Sequence, residues 1–215
     1  MKGDSFKNKG MRLRLIDDLR NKGIQNESVL RAMEAIPRHI FMDSALENFG
    51  YQDLAFPIGF EQTISQPYTV ARQTELLEVK SGHKVLEIGT GSAYQSWVLF
   101  LMGAQVHSIE RIEGLHKKAK QLIAAYNIGV RTYLGDGFIG LPELAPFDRI
   151  IVTCGAPHIP EALLEQLAVG GIMVIPVGDG KTQTMKKIVR KTENSFSQSE
   201  YGDFSFVPMK KDIQV

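Results

Sequence analysis

The chain has a single cysteine, Cys154, so no internal disulfide can form. Its apolar setting after Ile150-Ile151-Val152 reads as a small buried residue at a strand end rather than a reactive thiol, and the chain fits a reducing compartment. Long hydrophobic runs are missing as well: none approaches the ~20 residues needed to span a bilayer. The first ten residues are polar with scattered lysines and show no signal peptide. A soluble, cytoplasmic protein is expected, with residues 1–10 flexible and residues 11–215 forming one domain. Charge of one sign is also missing, since 25 Lys and Arg against 24 Asp and Glu leave a net charge of +1. That balance excludes a broad electrostatic footprint for a nucleic-acid backbone, and the basic run 186–191 reads as the solvent face of a strand.

Several catalytic motifs are absent too. The five histidines (His39, His83, His107, His116, His158) have no close metal-ligand spacing, and no G-x-S-x-G nucleophile elbow exists. Gly178-Asp179-Gly180-Lys181-Thr182 resembles the end of a phosphate loop, but its opening glycine would fall on Ile175. No tyrosine is followed four residues later by lysine, which removes one common dehydrogenase pair. Neither a coiled-coil heptad nor a repeat is present, so a monomer is expected.

What is present begins with two helical patterns. Met11, Leu15, Ile16 and Leu19 share one face, and Val29, Leu30, Met33 and Ile36 share another, closed by Pro37. From residue 84 strands and helices alternate: strands over 84–89, 105–109, 130–135, 148–154 and 171–177, helices over 92–102, 114–126 and 159–168. This predicts an α/β fold with a mostly parallel central sheet and helices on both faces. Two more strand-like runs, 184–189 and 200–207, flank a polar stretch over 192–199 and predict an edge hairpin.

The first strand ends in Val85-Leu86-Glu87-Ile88-Gly89-Thr90-Gly91-Ser92, where glycines let backbone approach a ligand before a helix begins. Glu110 ends the next strand, placed to accept hydrogen bonds from ribose hydroxyls. The third glycine of a dinucleotide loop would fall on Tyr94, which counts against a nicotinamide cofactor and leaves other adenosine-containing ones. Asp136 follows the third strand in Gly135-Asp136-Gly137 and reads either as an acceptor for an adenine amino group or as a simple Asx turn. Ligands in such sheets bind beyond the carboxyl ends of the strands, so these turns and Thr153 to Gly155 should converge on one crevice.

The segment Gln62-Thr63-Ile64-Ser65-Gln66-Pro67-Tyr68 is poor core material, and it resembles the signature of the protein-L-isoaspartate O-methyltransferases. The resemblance continues through the glycine loop, Ser108-Ile109-Glu110-Arg111, Gly135-Asp136-Gly137, Pro146-Phe147-Asp148 and Phe206-Val207-Pro208, covering about 11–210. It implies a Rossmann-like class I S-adenosylmethionine-dependent methyltransferase fold and methyl transfer to the free carboxylate of L-isoaspartyl, and also D-aspartyl, residues in damaged proteins, without metal. Ser65 is then expected to orient that carboxylate. Ile64, Glu87, Gly89, Gly91, Ser92, Glu110, Arg111, Asp136, Gly137 and Thr153 are expected to hold the cofactor. Gln66, Pro67, Tyr68, Phe206, Val207 and Pro208 are expected to meet the substrate peptide. Two residues depart from the pattern, Glu61 and Ala93, where the family usually has glycine; Ala93 fits if its φ is negative. A methyltransferase of the same fold acting on another carboxylate or a small molecule, and a binding protein that has lost catalysis, stay open as alternatives.

Overall fold

The computed structural model describes residues 3–215, so the flexibility expected of residues 1 and 2 lies outside the described residues. Residues expected to be flexible beside them are ordered: helix α1 spans Phe6–Asn21, and the Ser5 hydroxyl caps it by accepting from the Asn8 N–H. Its buried Leu15, Ile16 and Leu19 pack in one cluster with helix α2 (Glu27–Ala35), which Asn26 caps in the same way, while Arg12 donates to Asp4 and Tyr51.

Seven strands form the main sheet: β3 (Lys84–Ile88), β4 (Gln105–Glu110), β5 (Arg131–Leu134), β6 (Phe147–Val152), β7 (Leu167–Val177), β8 (Gln183–Thr192) and β9 (Ser195–Phe204). Their order is β5-β4-β3-β6-β7-β8-β9, parallel through β7 and antiparallel beyond it. The chain therefore winds outward from β3 in one direction and from β6 in the other. The carboxyl ends of these two central strands form the switch point where ligands bind in such sheets. Helices α3 (Pro67–Leu77), α4 (Tyr94–Leu101), α5 (Glu113–Ala125) and α6 (Glu161–Glu165) complete the layers.

Alternation along the strands divides the core in two. Val85, Ile151 and Val174 pack with α1 to α5, whereas Leu86, Ile88, Ile150, Val152, Met173 and Ile175 pack with Leu163 of α6 and Leu167. Both sheet faces are thus covered, which is why these strands read as continuous apolar runs. A separate two-stranded hairpin, β1 (Phe56–Gly59) and β2 (Gln62–Ile64), precedes α3.

Three sequence expectations need correction. The stretch expected to be a polar connection over 192–199 is mostly strand: β8 and β9 are ten residues each, separated by a two-residue turn. Helix α6 is five residues rather than ten, because Leu167 already pairs with Phe147. Ala93 has φ 69, not a negative value, and α4 starts only after it at Tyr94. A left-handed alanine costs about 1–2 kcal/mol, here tolerated at a buried turn whose N–H is bonded to the Thr90 carbonyl at 2.8 Å.

Candidate active site

Two cavities meet at the carboxyl end of the sheet. The first, about 850 Å³ including its open mouth, is walled by β2, the glycine loop, the turn after β4 and the segment 207–210. The second, a wider groove, lies between the start of α3 and the segment after β9. Thr63, Ser65, Thr153 and Val207 line both, so these residues form the threshold between them.

The glycine loop is built by local necessity. Gly89 has φ 97, and a Cβ there would lie 2.5 Å from the Thr153 hydroxyl oxygen, which donates to the Ile88 and Gly89 carbonyls across the β3–β6 switch point. Glu110 stands opposite. One of its carboxylate oxygens accepts from the Gly91 N–H at 2.8 Å and the other from the Ile112 N–H at 2.9 Å. Each oxygen keeps a further lone pair for a ligand hydroxyl. A concave, largely apolar wall with one oriented carboxylate beside exposed loop backbone fits an adenosyl group with a ribose diol.

Most expected cofactor residues line this first cavity: Ile64, Gly89, Gly91, Ser92, Glu110, Arg111, Gly137 and Thr153. Three of the expected cofactor residues are engaged elsewhere. Glu87 does not reach the cavity; it is fully buried beneath the loop and accepts from the Ser96 hydroxyl, and burial, with Glu110 nearby, pushes its carboxyl up to about 7. The reason is strand alternation, which turns Glu87 away from the loop that follows it. Asp136 is outside the lining too. One of its oxygens closes an Asx turn on the Phe138 N–H at 2.8 Å and the other accepts from the Asp212 N–H at 3.0 Å. Arg111 lines the cavity, but its guanidinium donates to the Asp212 carbonyl and the Gln214 side chain, both at 3.0 Å, holding the chain's last residues against β4. Cys154 is also in the wall, and burial reinforced by Glu110 pushes its thiol up to about 12, so it is not a nucleophile near neutral pH.

Of the expected substrate residues, Gln66, Tyr68, Phe206 and Val207 line the second groove, and Val207 and Pro208 line the first. Pro67 lines neither and is the buried first residue of α3, where its fixed φ suits a helix start. The 206–208 segment is fastened in place: the Phe206 N–H donates to the Gln183 side chain and the Val207 carbonyl accepts from the Gly155 N–H.

Two positioning groups have no local sequence signal. Asp53 caps α3 from outside, accepting from the Tyr68 N–H at 2.8 Å and from the Gln66 amide at 3.1 Å. Arg38, buried against the rings of Phe56 and Tyr94, donates to the carbonyls of Gly50, Leu54 and Ser65. Strand β9 adds Phe204, stacked on the expected Tyr68, and Tyr201 to the aromatic side of the groove, and neither carries a local signal. Among the described residues no group of histidine, cysteine or carboxylates could hold a metal ion.

An open, mostly parallel sheet with an antiparallel edge, a glycine loop after β3 that lacks the third glycine of a dinucleotide loop and an acid ending β4 fit a class I S-adenosylmethionine-dependent methyltransferase. The comparisons with known proteins are narrower. A family model for protein-L-isoaspartate(D-aspartate) O-methyltransferase matches residues 11–214. The chain is 55% identical over 210 residues to a protein-L-isoaspartate O-methyltransferase of Flavobacterium psychrophilum, covering 97% of this chain and 98% of that one. It is 54% identical over 206 residues to the one of Cytophaga hutchinsonii, covering 96% and 93%. A solved protein-L-isoaspartate O-methyltransferase superposes with TM-score 0.84 at 27% identity, covering 94% of this chain and 67% of that one. The fold is shared with a Plasmodium falciparum protein described as a putative protein-L-isoaspartate O-methyltransferase in complex with S-adenosyl-L-homocysteine, with TM-score 0.80, 24% identity and coverage of 93% and 98%. The chain belongs to the protein-L-isoaspartate (D-aspartate) O-methyltransferase family.

Proposed function

We propose that this chain methylates the free carboxylate of L-isoaspartyl residues in damaged proteins and peptides, with S-adenosylmethionine as methyl donor. The observation that carries the reading is the placement of Ser65 on the threshold shared by the two cavities. A substrate held in the outer groove and a methyl donor held in the inner cavity can meet only there.

The residues suit a reaction that asks for alignment more than for proton transfer. A carboxylate with a reference pKa near 4 is already ionised at neutral pH, so no general base has to activate it. When bound, the cofactor supplies a methyl group activated on a sulfonium sulfur. Glu110 and the loop at Gly89 to Gly91 would hold its adenosyl part, and Ile64 would cover it. The Ser65 hydroxyl would donate to one oxygen of the incoming carboxylate and leave the other free as the nucleophile. Orientation of this kind can supply roughly 7–11 kcal/mol of the barrier. The outer groove, with Gln66, Tyr68 and the 206–207 backbone, offers extended main chain and ring faces that do not demand one side-chain sequence, which suits substrates damaged at many sites. D-aspartyl residues present a similar free carboxylate and belong to the same reading. The near-zero net charge gives no basic footprint for a nucleic-acid backbone, and no helix among the described residues is long and apolar enough to cross a membrane. The reading has the enzyme act as a monomer in the cytoplasm.

The test is transfer of labelled methyl from S-adenosylmethionine to matched peptides containing isoaspartate or ordinary aspartate. Base-labile methyl ester on the isoaspartyl peptide alone is the expected result. Label on neither peptide, with S-adenosyl-L-homocysteine still bound, would overturn the substrate assignment.

A further inference from the structure

The turn joining β1 to β2 consists of two residues, Phe60 and Glu61, with φ values of 53 and 57. Two-residue hairpin turns with both central residues left-handed ordinarily use asparagine and glycine, because a side chain there crowds its own backbone. A bulky aromatic in that conformation is an outlier, and such strain persists only where surrounding structure holds it.

Gly114 supplies the holding contact. It is the second residue of α5 and has no positive φ, so its backbone does not call for glycine, and glycine inside a helix is unfavourable. A Cβ at Gly114 would overlap Cζ of Phe60 and would lie 2.7 and 3.0 Å from Cε1 and Cε2. One turn further along α5, Lys118 places Nζ 5.2 Å from the centre of the same ring. A strained turn and a helical glycine, each unfavourable on its own, thus meet in one contact.

The position of that contact gives it a consequence. The β1–β2 hairpin is not hydrogen-bonded into the main sheet, and two strands alone are marginal in water. Yet the hairpin contributes Gln62, Thr63 and Ile64 to the inner cavity, while the turn before α5 and its first residues contribute Ile112 and Leu115 to it. Phe60 on Gly114 ties one wall to the other.

We propose that Phe60, seated on Gly114, is a latch that keeps the β1–β2 hairpin closed over the bound adenosyl ligand and sets how fast that ligand leaves. Phe60 is a positioning residue: it acts through Ile64 and its neighbours and does not line the cavity itself. The inference rests on reading the inner cavity as the cofactor site.

The experiment loads the full-length enzyme with radiolabelled S-adenosyl-L-homocysteine and follows its release into excess unlabelled S-adenosylmethionine, with thermal melts on every variant. Phe60→Ala should accelerate release by about tenfold, since affinity changes in one site appear mostly in the off-rate. Gly114→Ala should do the same, because the added methyl unseats the ring, and Phe60→Tyr should keep the wild-type rate. The double variant should release within about twofold of either single one, as expected when both remove the same contact. Wild-type release from Phe60→Ala, with or without a lowered melting temperature, would overturn the latch, as would multiplied effects in the double variant. Failure of the wild-type enzyme to hold the ligand at all would overturn the cavity assignment, and the latch with it.

Discussion

Arg38 Nη2 donates to the main-chain carbonyl of Ser65 at 2.9 Å, so the residue at the threshold of the two cavities is held from behind by a buried guanidinium. The same side chain binds the carbonyls of Gly50 at 2.6 Å and Leu54 at 3.3 Å. Burial pushes its pKa down to about 10, which still leaves it charged at neutral pH. The fork spreads its donors over two nitrogens, Nη1 on Gly50 and Nη2 on Leu54 and Ser65, a span that the single nitrogen of a lysine does not cover. Arg38→Lys is therefore expected to keep the fold while leaving carbonyls unpaired at roughly 1–3 kcal/mol each. The consequence for activity is misplacement of Ser65. A fall in kcat of about 10- to 100-fold is expected, of the size misplacement of reacting groups produces, with cofactor affinity by calorimetry changed only slightly. A lowered melting temperature with kcat intact would make Arg38 a packing residue only.

Ser65→Ala removes the hydroxyl and little else. If that hydroxyl orients the carboxylate in the transition state, its loss should lower kcat by about 10²-fold, the scale seen for a single preorganised donor. Cofactor binding should be unchanged, because the loss falls on a step after binding. Equal losses in kcat and in cofactor affinity would remove the assigned role, and Ser65→Thr should restore part of the rate by returning a donor.

Glu110 is both a ligand group and a structural acceptor, and its variants separate the two tasks. Glu110→Gln keeps one carbonyl oxygen, and its amide nitrogen cannot accept from Gly91 or Ile112, so stability should fall as well as affinity. A hydrogen bond to a charged group is worth about 1.5–3 kcal/mol, so a 10- to 100-fold weaker S-adenosyl-L-homocysteine affinity is expected by calorimetry. Unchanged affinity would remove Glu110 from the ribose site.

The parts of this site that were legible in the sequence are those built by neighbours in the chain. Gly89 and Gly91 follow β3 directly, Glu110 ends β4, and Ser65 lies in a short string whose residues suit no core. What escaped depends on distant partners. Arg38 meets Ser65 across 27 residues, Asp53 caps Tyr68 across 15, and Phe60 finds Gly114 on another element altogether. The first half of strand β9 escaped because it is solvent-exposed at the sheet edge, so it carries no alternation of apolar and polar residues. The start of α4 was misplaced because Ala93 adopts a conformation its side chain does not advertise. Glu87, implied only by the family resemblance, is turned beneath the loop, and Asp136 makes the Asx turn that the sequence also allowed.

Glu87 should also leave a mark on the pH dependence of stability. Its carboxyl is raised from about 4.5 to about 7 in the folded state, chiefly by burial. Below 4.5 the group is neutral in folded and unfolded chains, and it costs nothing. Between 4.5 and 7 the unfolded chain ionises while the folded chain holds the proton, so stability falls as pH rises. Above 7 the buried carboxylate ionises as well and the loss levels off. Two and a half units correspond to about 3 kcal/mol by linkage, an order-of-magnitude figure. Glu87→Gln retains a group able to bond the Ser96 hydroxyl and cannot ionise. Denaturant unfolding at pH 5 and pH 8 should show the variant nearly level with the wild type at the lower pH and more stable at the higher one. A wild type whose stability changes between these pH values no more than the variant's would mean that the buried carboxyl titrates normally.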